Sequence, residues 1–272
     1  MNERVALAYK QQPRKWIANI ALAIIILFFV AISFTGSTIN WYRLANFSQS
    51  FNTMIRGIVD INWAFFFGID GFQFSEGIVY KTLETLAMAF LGTMIGAVLA
   101  LPFGFLAAVN VVGKKWAKVS EALLVLIRVF PEIILAIILI KGFGMTPLTG
   151  VLTIGIHSIG MLGKLFAEAI DNMDRSSLEA LDSVGASTWQ KILYGIIPNI
   201  MPDLTSVSLY RFDINVRSAS ILGIIGAGGI GAPLLIAANN WSWNMLGTVL
   251  LAIILMVLAV DFISSYLRNK LV

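Results

Sequence analysis

The stretch SSLEALDSVGASTWQKILYGIIP, residues Ser176–Pro198, is a polar island between two long hydrophobic stretches of this chain. Ser176 is followed three residues later by Glu179, which is the spacing of a capping box at the start of a helix. Ser187 and Gln190 repeat this spacing further along the chain. The island therefore predicts two short helices at a membrane surface.

Two residues of the island predict where these helices end. Gly185 stands where the first helix needs a residue that adopts positive φ without strain. Pro198 lacks a backbone N–H and is expected to end the second helix. The sequence thus predicts a helix–turn–helix projection held between membrane spans.

The composition is that of a membrane protein with several spans. Of the 272 residues, 58 % are hydrophobic and 12 % are charged, and the mean hydropathy is +0.85. A chain of this length holds about six spans of roughly 20 residues with short loops. The absence of cysteine excludes a disulfide framework, a thiolate nucleophile and cysteine-based metal sites. We therefore predict an all-α fold, a polytopic membrane helical bundle of about six transmembrane helices.

The distribution of basic residues predicts the orientation of this bundle. Hydropathy places the spans near Trp16–Ser33, Thr82–Val109, Val119–Ile140, Leu148–Ile170, Ile200–Ile225 and Met245–Leu267. Most of the basic residues between the spans then share one side with both termini: Arg4, Lys10, Arg14, Lys15, Lys114, Lys115, Lys118, Arg175, Lys191, Arg268 and Lys270. The positive-inside rule places that side, including the polar island, in the cytoplasm.

The segment 36–76, between the first two spans, is rich in aromatic residues. Its apolar residues keep helical spacing from Leu44 to Val59, and Trp63 to Phe67 follow. This pattern predicts an amphipathic helix on the outer membrane surface. Such a helix either anchors the chain in the lipid interface or docks a solute-binding protein, and the sequence leaves both readings open.

The second span carries a face of small residues, with Gly92, Gly96 and Gly104 among several alanines. Small residues allow close approach of membrane helices. The face could pack inside the bundle or at the seam of a dimer, and sequence does not separate these alternatives.

Charged residues within spans are costly and are candidates for function. Most can be neutralised locally, because three pairs of opposite charge have i,i+4 spacing: Arg128 with Glu132, Lys164 with Glu168, and Asp213 with Arg217. Arg211 is left as surplus positive charge about 17 Å from the start of the fifth span, at 1.5 Å per residue. A planar guanidinium fork suits a phosphorus oxyanion, so Arg211 and Arg217 are candidates for lining a pathway. A purely structural network is the alternative.

Two motifs resemble a known family. The residues Glu179-Ala180-Leu181, then Gly185, then Ile197-Pro198, are similar to the coupling motif of ABC importer permeases, with departures at Leu181, Gly195 and Ile197. The run from Tyr210 to Ala219, followed by Leu222-Gly223 and the glycines of 226–231, resembles the signature of phosphonate-type permeases. The chain is therefore identified as a member of this family, with the fold of a type I ABC importer permease.

The resemblance implies partners and site residues. It implies a homodimer in the bacterial plasma (inner) membrane, with two ABC ATPase subunits on the cytoplasmic side and an extracytoplasmic solute-binding protein. Mg-ATP would be bound by the partner ATPase, with no cofactor in this chain. Substrates would be phosphonate, phosphite or phosphate. The ATPase-coupling residues would be Glu179, Ala180, Asp182, Gly185, Ala186 and Pro198, and the substrate pathway would include Arg211, Asp213, Asn215, Arg217 and Ser218.

Other chemistry finds little support in the sequence. Gly226, Gly228 and Gly231 spell GxGxxG, but the strand and the acidic residue that a dinucleotide site needs are not predicted around them. His157 is the only histidine, which rules out a histidine-based metal site, and no P-loop motif is present. We expect no catalytic residue, no metal and no nucleic-acid partner. Alternatives of other classes are a secondary transporter, in which His157 or Asp261 would titrate, and an intramembrane enzyme acting on phosphate-bearing lipid.

The predicted domain organisation follows from these segments. Residues 1–15 are a cytoplasmic N-terminus, and 16–35 are the first transmembrane helix, an uncleaved anchor because its apolar run exceeds that of a signal peptide. Residues 36–76 are the extracytoplasmic amphipathic segment. Residues 77–272 are the permease core, with the coupling helices at 176–198.

Overall fold

The computed structural model of this chain describes residues 15–36, 46–69, 71–174 and 176–271, and within these residues it contains helices and no strand. The chain forms two compact units, Met1–Thr53 and Met54–Val272. The all-α prediction is confirmed. The helices are α1 Lys15–Gly36, α2 Phe47–Val59, α3 Trp63–Phe67, α4 Ile78–Ala107, α5 Val109–Val112, α6 Lys114–Val129, α7 Glu132–Phe143, α8 Pro147–Asn172, α9 Ser176–Ser183, α10 Thr188–Gln190, α11 Ile197–Ile224, α12 Gly231–Asn239 and α13 Trp243–Leu271.

Three of the described helices, α4, α8 and α13, are long and apolar enough to cross a membrane unaided. A fourth span arises if the bent pair α6 and α7 is counted as one. The other two predicted spans fall short for physical reasons. Helix α1 holds a shorter apolar stretch, Asn19–Ser33, and α11 is 28 residues long but carries several charged residues.

The predicted third span is not one straight helix. Helix α6 ends at Val129, Phe130 and Pro131 are extended, and α7 begins at Glu132. The two helices meet at 81°. Pro131 causes this break because its ring excludes a helical conformation for the residue before it. The third span predicted near Val119–Ile140 is therefore a pair of helices joined by a sharp bend.

The predicted end of a helix at Pro198 was also wrong. Helix α10 continues through a π-helical turn, Lys191–Ile196, directly into α11. Pro198 lies in the first turn of α11, where a missing N–H costs little. The side chain of Asn199 donates from Nδ2 to the carbonyl oxygen of Gly195 at 2.8 Å, which satisfies an acceptor next to the wide turn. The second half of the coupling segment and the predicted fifth span thus form one continuous helix, Thr188–Ile224, which we call the rod.

The small-residue face of α4 packs inside the bundle, which decides the question that the sequence left open. A Cβ atom added to Gly96 would lie 2.6 Å from Ser158 Cβ, and one added to Gly104 would lie 2.8 Å from Phe166 Cβ. Ser158 and Phe166 belong to α8. Close contact between α4 and α8 therefore requires glycine at these positions.

The glycines after α11 form a tight turn against the starts of α4 and α8. Gly226, Gly228 and Gly229 have φ of 96°, 84° and 74°. The backbone N–H of Ile230 donates to Thr85 Oγ1 of α4 at 2.8 Å. A helix rather than a strand precedes the turn, so the context of a dinucleotide site is not met.

The amphipathic helix predicted in the segment 36–76 is confirmed as α2, although Leu44 lies outside the described residues. Phe47, Phe51, Ile55 and Val59 follow at i,i+4 spacing and are all exposed. Residues 1–14, which hold most of the predicted cytoplasmic N-terminus, also lie outside the described part of the chain.

The core of the larger unit has two apolar clusters. The first includes Ile154, Val216 and Leu222, and the second includes Leu162 and Leu204. Helices α4, α8 and α11 each contribute to both clusters. Each of these three helices therefore passes from one cluster to the other, and polar side chains meet where they do so.

Candidate functional site

The coupling segment, Ser176–Pro198, begins with helix α9. The turn that ends this helix forms as the sequence predicts. Helix α9 ends in a turn in which Gly185 has φ of 73°. Its N–H donates to the carbonyl oxygen of Asp182 at 3.0 Å, and the N–H of Ala186 donates to that of Leu181 at 3.0 Å. The left-handed conformation expected at Gly185 is confirmed.

The two predicted capping boxes have different outcomes. At Ser187 the box is complete, because its N–H donates to Gln190 Oε1 at 2.7 Å and its Oγ accepts from the Gln190 N–H at 3.4 Å. At Ser176 the expected box with Glu179 was wrong. Ser176 instead donates from N and from Oγ to the carboxylate of Asp174, at 3.0 and 2.8 Å. A carboxylate is the stronger acceptor, so the hydroxyl turns towards Asp174.

Helix α9 folds back onto the rod formed by α10 and α11. Lys191 forms an ion pair with Asp182. A Cβ atom on Gly195 would lie 2.9 Å from Leu181 Cδ1 and 3.0 Å from Leu178 Cδ2, so the two leucines occupy the space that a side chain at 195 would fill. Leu181 and Gly195 are two of the positions that depart from the coupling motif, a large residue for a small one and the reverse. Leu181 and Gly195 thus fit each other in size at this contact.

The coupling segment also presents an exposed surface. Glu179, Ala180 and Asp182 are exposed, as are two large apolar side chains, Val184 at 78 % and Trp189 at 79 %. Exposed apolar residues beside charged ones are typical of a protein-binding surface. Of the other predicted coupling residues, Gly185 and Pro198 are exposed and Ala186 is half-buried.

Asp171, which the sequence analysis did not single out, fixes the base of this segment. The Asp171 carboxylate, near the end of α8, accepts from the backbone N–H groups of Val109 and Asn110 at 3.0 and 2.9 Å. Asn110 Nδ2 donates back to the Asp171 carbonyl oxygen at 2.9 Å. These bonds tie the end of α8, just before α9, to the short helix α5 that follows α4. An acidic residue at the end of a hydrophobic span was the available signal.

Within the bundle, polar side chains from three helices meet between the two apolar clusters. Asn215 of α11 donates from Nδ2 to Thr93 Oγ1 of α4 at 2.7 Å and to Ser158 Oγ of α8 at 3.0 Å. Arg211 donates from Nε to the same Ser158 Oγ at 3.1 Å and contacts Met161 Sδ at 3.3 Å. We call Thr93, Ser158, Arg211 and Asn215 the polar layer. Arg211 and Asn215 reach these partners only through tertiary packing, because the partners lie far away in the sequence. Spacing along the chain therefore could not predict the contacts.

Arg211 is one of the buried polar residues of the bundle. It is 5 % exposed, which places it in the interior of this chain. Its Nη2 is buried without a hydrogen-bond partner among the described residues. Glu132 and Arg128 are close enough to act on its charge electrostatically. Arg211 is thus a buried cation beside one nearby acid.

Of the three predicted i,i+4 pairs, one forms. Arg217 pairs with Asp213, and the Arg217 side chain remains 52 % exposed while that of Asp213 is 6 % exposed. Lys164 instead approaches Glu121 of α6 at 3.4 Å, so its predicted pairing with Glu168 was wrong.

The pairing predicted for Glu132 was wrong as well. Glu132 Oε2 accepts a hydrogen bond from Ser218 Oγ at 3.0 Å, which links α7 to α11. The bend at Pro131 removes the helical geometry that i,i+4 pairing with Arg128 requires. His157 lies nearby, with its Nδ1 buried and without a hydrogen-bond partner in the described part of the chain.

These features define a class of protein. A helical membrane bundle with an exposed helix–turn–helix projection, continuous with a long helix that carries buried charges, is typical of a membrane transport component. A family model described as "Binding-protein-dependent transport system inner membrane component" matches residues 100–272. The chain belongs to this family, and the match includes the coupling segment and most of the polar layer.

Individual relatives support the assignment. The chain is 42 % identical over 186 residues to HtxC of Stutzerimonas stutzeri, a protein assigned to phosphite transport, with 68 % of this chain and 66 % of HtxC covered. It is 36 % identical over 192 residues to the phosphate-import permease protein PhnE of Mycolicibacterium smegmatis, with 70 % of this chain and 36 % of PhnE covered. The match thus spans just under two thirds of the first relative and about one third of the second.

A solved structure shares the fold. The MetNI methionine ABC transporter, in an inward-facing conformation, contains a chain that is 22 % identical, with a TM-score of 0.63, 72 % of this chain and 96 % of that chain covered. At this identity the likeness concerns the fold, and it confirms the predicted architecture of a type I importer permease.

Proposed function

We propose that this chain is the permease subunit of an ATP-driven importer for a phosphorus oxyanion: phosphonate, phosphite or phosphate. The observation that carries the proposal is the continuous helical rod from the coupling segment through the π turn into α11. The rod connects an exposed surface suited to a partner protein with the polar layer inside the membrane bundle.

The rod offers a physical route for coupling. A partner that pushes on α9 acts through the Asp182–Lys191 ion pair and the contact of Leu181 with Gly195. A rigid helix transmits such a displacement along its axis to Arg211. The Asp171 contacts fix the neighbouring end of α8, so α11 would move against it. Closure of two ATPases would in this way switch a central pathway between inward and outward access.

The energy source lies outside this chain in the proposal. The sequence contains no P-loop motif, so Mg-ATP would be bound by two ABC ATPase subunits. They would dock on Glu179, Ala180, Asp182, Gly185, Ala186 and Pro198. A second copy of this chain would complete the pathway, and a solute-binding protein would deliver substrate from the other side.

The orientation and the substrate class complete the proposal. The excess of Lys and Arg on the side of the coupling segment favours cytoplasmic termini in the bacterial plasma membrane. Relatives named for phosphite transport and phosphate import favour a phosphorus oxyanion. Arginine groups at Arg211 and Arg217, with Asp213, Asn215 and Ser218 around them, supply the charge and hydrogen-bonding groups that such an anion needs.

Uptake in proteoliposomes tests the proposal. The chain is reconstituted with its ATPase and binding protein, and entry of phosphite is measured with ATP inside and with ionophores that collapse proton and sodium gradients. The proposal expects uptake that requires ATP and survives the ionophores. Uptake that follows an ion gradient without ATP would instead indicate a secondary transporter. Release of phosphate from lipid by the isolated chain would indicate an enzyme.

A further inference from the structure

A groove of about 770 Å³ lies along the contact between α4 and α8. Its wall is apolar, and Leu83, Leu91 and Val151 are among the residues that line it. Of the described residues in this lining, only Tyr80 and Glu84 carry a side-chain oxygen. Both lie near the start of α4, so the groove has one polar end and a long apolar wall.

The depth of the groove matches one leaflet of a bilayer. Helix α4 has 30 residues, about 45 Å at 1.5 Å per residue, which is close to the thickness of a bilayer with its headgroup regions, about 40–45 Å. Tyr80 and Glu84 lie about 3 and 9 Å from its start, at the level of the headgroups. From Glu84 the apolar lining continues to Ile95, over about 17 Å, and half of the hydrocarbon core is about 15 Å. The groove therefore has the length and polarity of a lipid.

The polar end carries one charge of each sign. Lys81 Nζ donates to Glu84 Oε2 at 2.7 Å and lies 5.5 Å from the centre of the Tyr80 ring. The two charged side chains are 26 % and 15 % exposed. An ammonium group has three N–H donors and a carboxylate has about four acceptor sites, so each keeps spare capacity after forming this bond. A ligand at this end would therefore need both an acceptor for Lys81 and a donor for Glu84.

We propose that this groove binds a phospholipid whose headgroup ends in a primary ammonium group, as in phosphatidylethanolamine. The lipid ammonium donates to the Glu84 carboxylate, the phosphate accepts from Lys81, and an acyl chain lies against the apolar wall. The polar end is at the start of α4, remote from the coupling segment, so the lipid belongs to the leaflet on that side. This inference goes beyond the proposed function and does not depend on it.

The same two charges disfavour other phospholipids. The quaternary ammonium of phosphatidylcholine has no N–H, so it offers no hydrogen bond to the poorly solvated Glu84 carboxylate. Phosphatidylglycerol carries a net negative charge with no cation in its headgroup, and like charges at Glu84 repel. Selection therefore depends on the donor in the headgroup and on the acid that lines the groove.

Phosphatidylethanolamine and phosphatidylcholine form a matched pair of probes, because both are zwitterionic and only the former has N–H donors. The full chain in detergent is titrated with each lipid, with identical acyl chains, and native mass spectrometry measures the lipid-bound fraction. Phosphatidylethanolamine is expected to bind about tenfold more tightly, the typical gain from one charge-assisted hydrogen bond. Phosphatidylglycerol is expected to bind more weakly as well. Equal affinities for the first two lipids would overturn the inference.

A substitution at Glu84 assigns the preference to the groove. Glu84→Gln removes the negative charge with little change in shape, and the affinities for phosphatidylethanolamine and phosphatidylcholine are expected to become equal. Glu76→Gln is the matched control, because Glu76 is an exposed acid close to the start of α4 and does not line the groove. It is expected to keep the preference of the wild type. A preference that persists in Glu84→Gln would refute the role of this acid.

A second variant decides the question if Glu84→Gln fails to fold. Ala87 is exposed and lines the groove, so Ala87→Phe fills the path of the acyl chain without overpacking the core. It is expected to weaken phosphatidylethanolamine binding about tenfold or more, whereas Ala122→Phe, at an exposed position of α6 outside the groove, is expected to bind like wild type. Unchanged binding in Ala87→Phe would contradict the proposal. The same spectra count protein chains, and a loss of subunit association with unchanged lipid binding would show that a second copy covers the groove instead.

Discussion

Leu181 of helix α9 occupies the space above Gly195, and a Cβ atom at position 195 would lie 2.9 Å from Leu181 Cδ1. This contact joins the short coupling helix to the rod that enters the membrane. The family motif has a small residue at the first position and an aliphatic residue at the second. In this chain the two sizes are exchanged, and Leu181 fills the space next to Gly195.

This exchange predicts a rescue by double substitution. Gly195→Leu alone should overpack the contact and destabilise the protein by about 1–3 kcal/mol. Leu181→Ala alone should leave a gap with a smaller cost. The double variant, which restores the family arrangement, should recover stability, as measured by thermal unfolding in detergent. Purely additive losses in the double variant would show that the two positions do not interact.

Gly185 provides a prediction on backbone conformation. Its φ is 73° and no atom lies within 4 Å of an added Cβ, so Gly185→Val is strained by the backbone alone. The cost of about 1–2 kcal/mol should distort the turn after α9 and abolish ATPase association and transport, with membrane insertion intact. Gly144→Val is the matched control, because Gly144 has φ of 77° and equally open surroundings. Normal uptake by Gly185→Val would contradict the coupling role.

The ion pair between Asp213 and Arg217 leads to a prediction on stability, tested with a single and a double variant. Arg217→Ala leaves the buried carboxylate of Asp213 without its partner, which should lower the free energy of unfolding by about 1–3 kcal/mol. Asp213→Asn combined with Arg217→Gln removes both charges and should restore most of this stability. Thermal unfolding of the single and double variants checks the result. Equal instability of both would show that the pair is not what stabilises α11.

Contacts between residues that are close together in the sequence were easier to predict than contacts between distant residues. The capping box at Ser187, the turn at Gly185 and the pair of Asp213 with Arg217 were predicted, because each depends on residues within one or two turns. The partner of Glu132 was not, because the bend at Pro131 turns α7 away from α6 and brings Glu132 to Ser218. Spacing along the chain carries no information on such contacts.

The position of Arg211 illustrates a second limit. Its place near the middle of α11 follows from the sequence, but its side chain could face a pathway or the bundle interior. The contact between Gly96 and Ser158 brings α4 and α8 together, and Ser158 then accepts from Arg211. Burial is thus decided by the glycine face of another helix, which was itself open to two interpretations.

Arg211 gives the fourth prediction. Arg211→Ala removes a buried cation that donates from Nε to Ser158 Oγ. Uptake should fall, while the complex with the ATPase still assembles. Arg211→Lys should not restore uptake, because a lysine lacks the planar fork that donates from Nε. Co-purification of the ATPase and phosphite uptake are measured together. Unchanged uptake in Arg211→Ala would assign this residue a structural role only.

If the proposed function holds, the loaded binding protein on one side of the membrane stimulates ATP hydrolysis on the other side through this chain. The most direct measurement is the ATPase activity of the reconstituted complex, with its binding protein loaded in turn with alkylphosphonate, phosphite, phosphate or no ligand. We expect stimulation by at least one loaded form over the empty protein. No stimulation by any of them, in a complex that is demonstrably assembled and active, would contradict the assignment to phosphorus oxyanions.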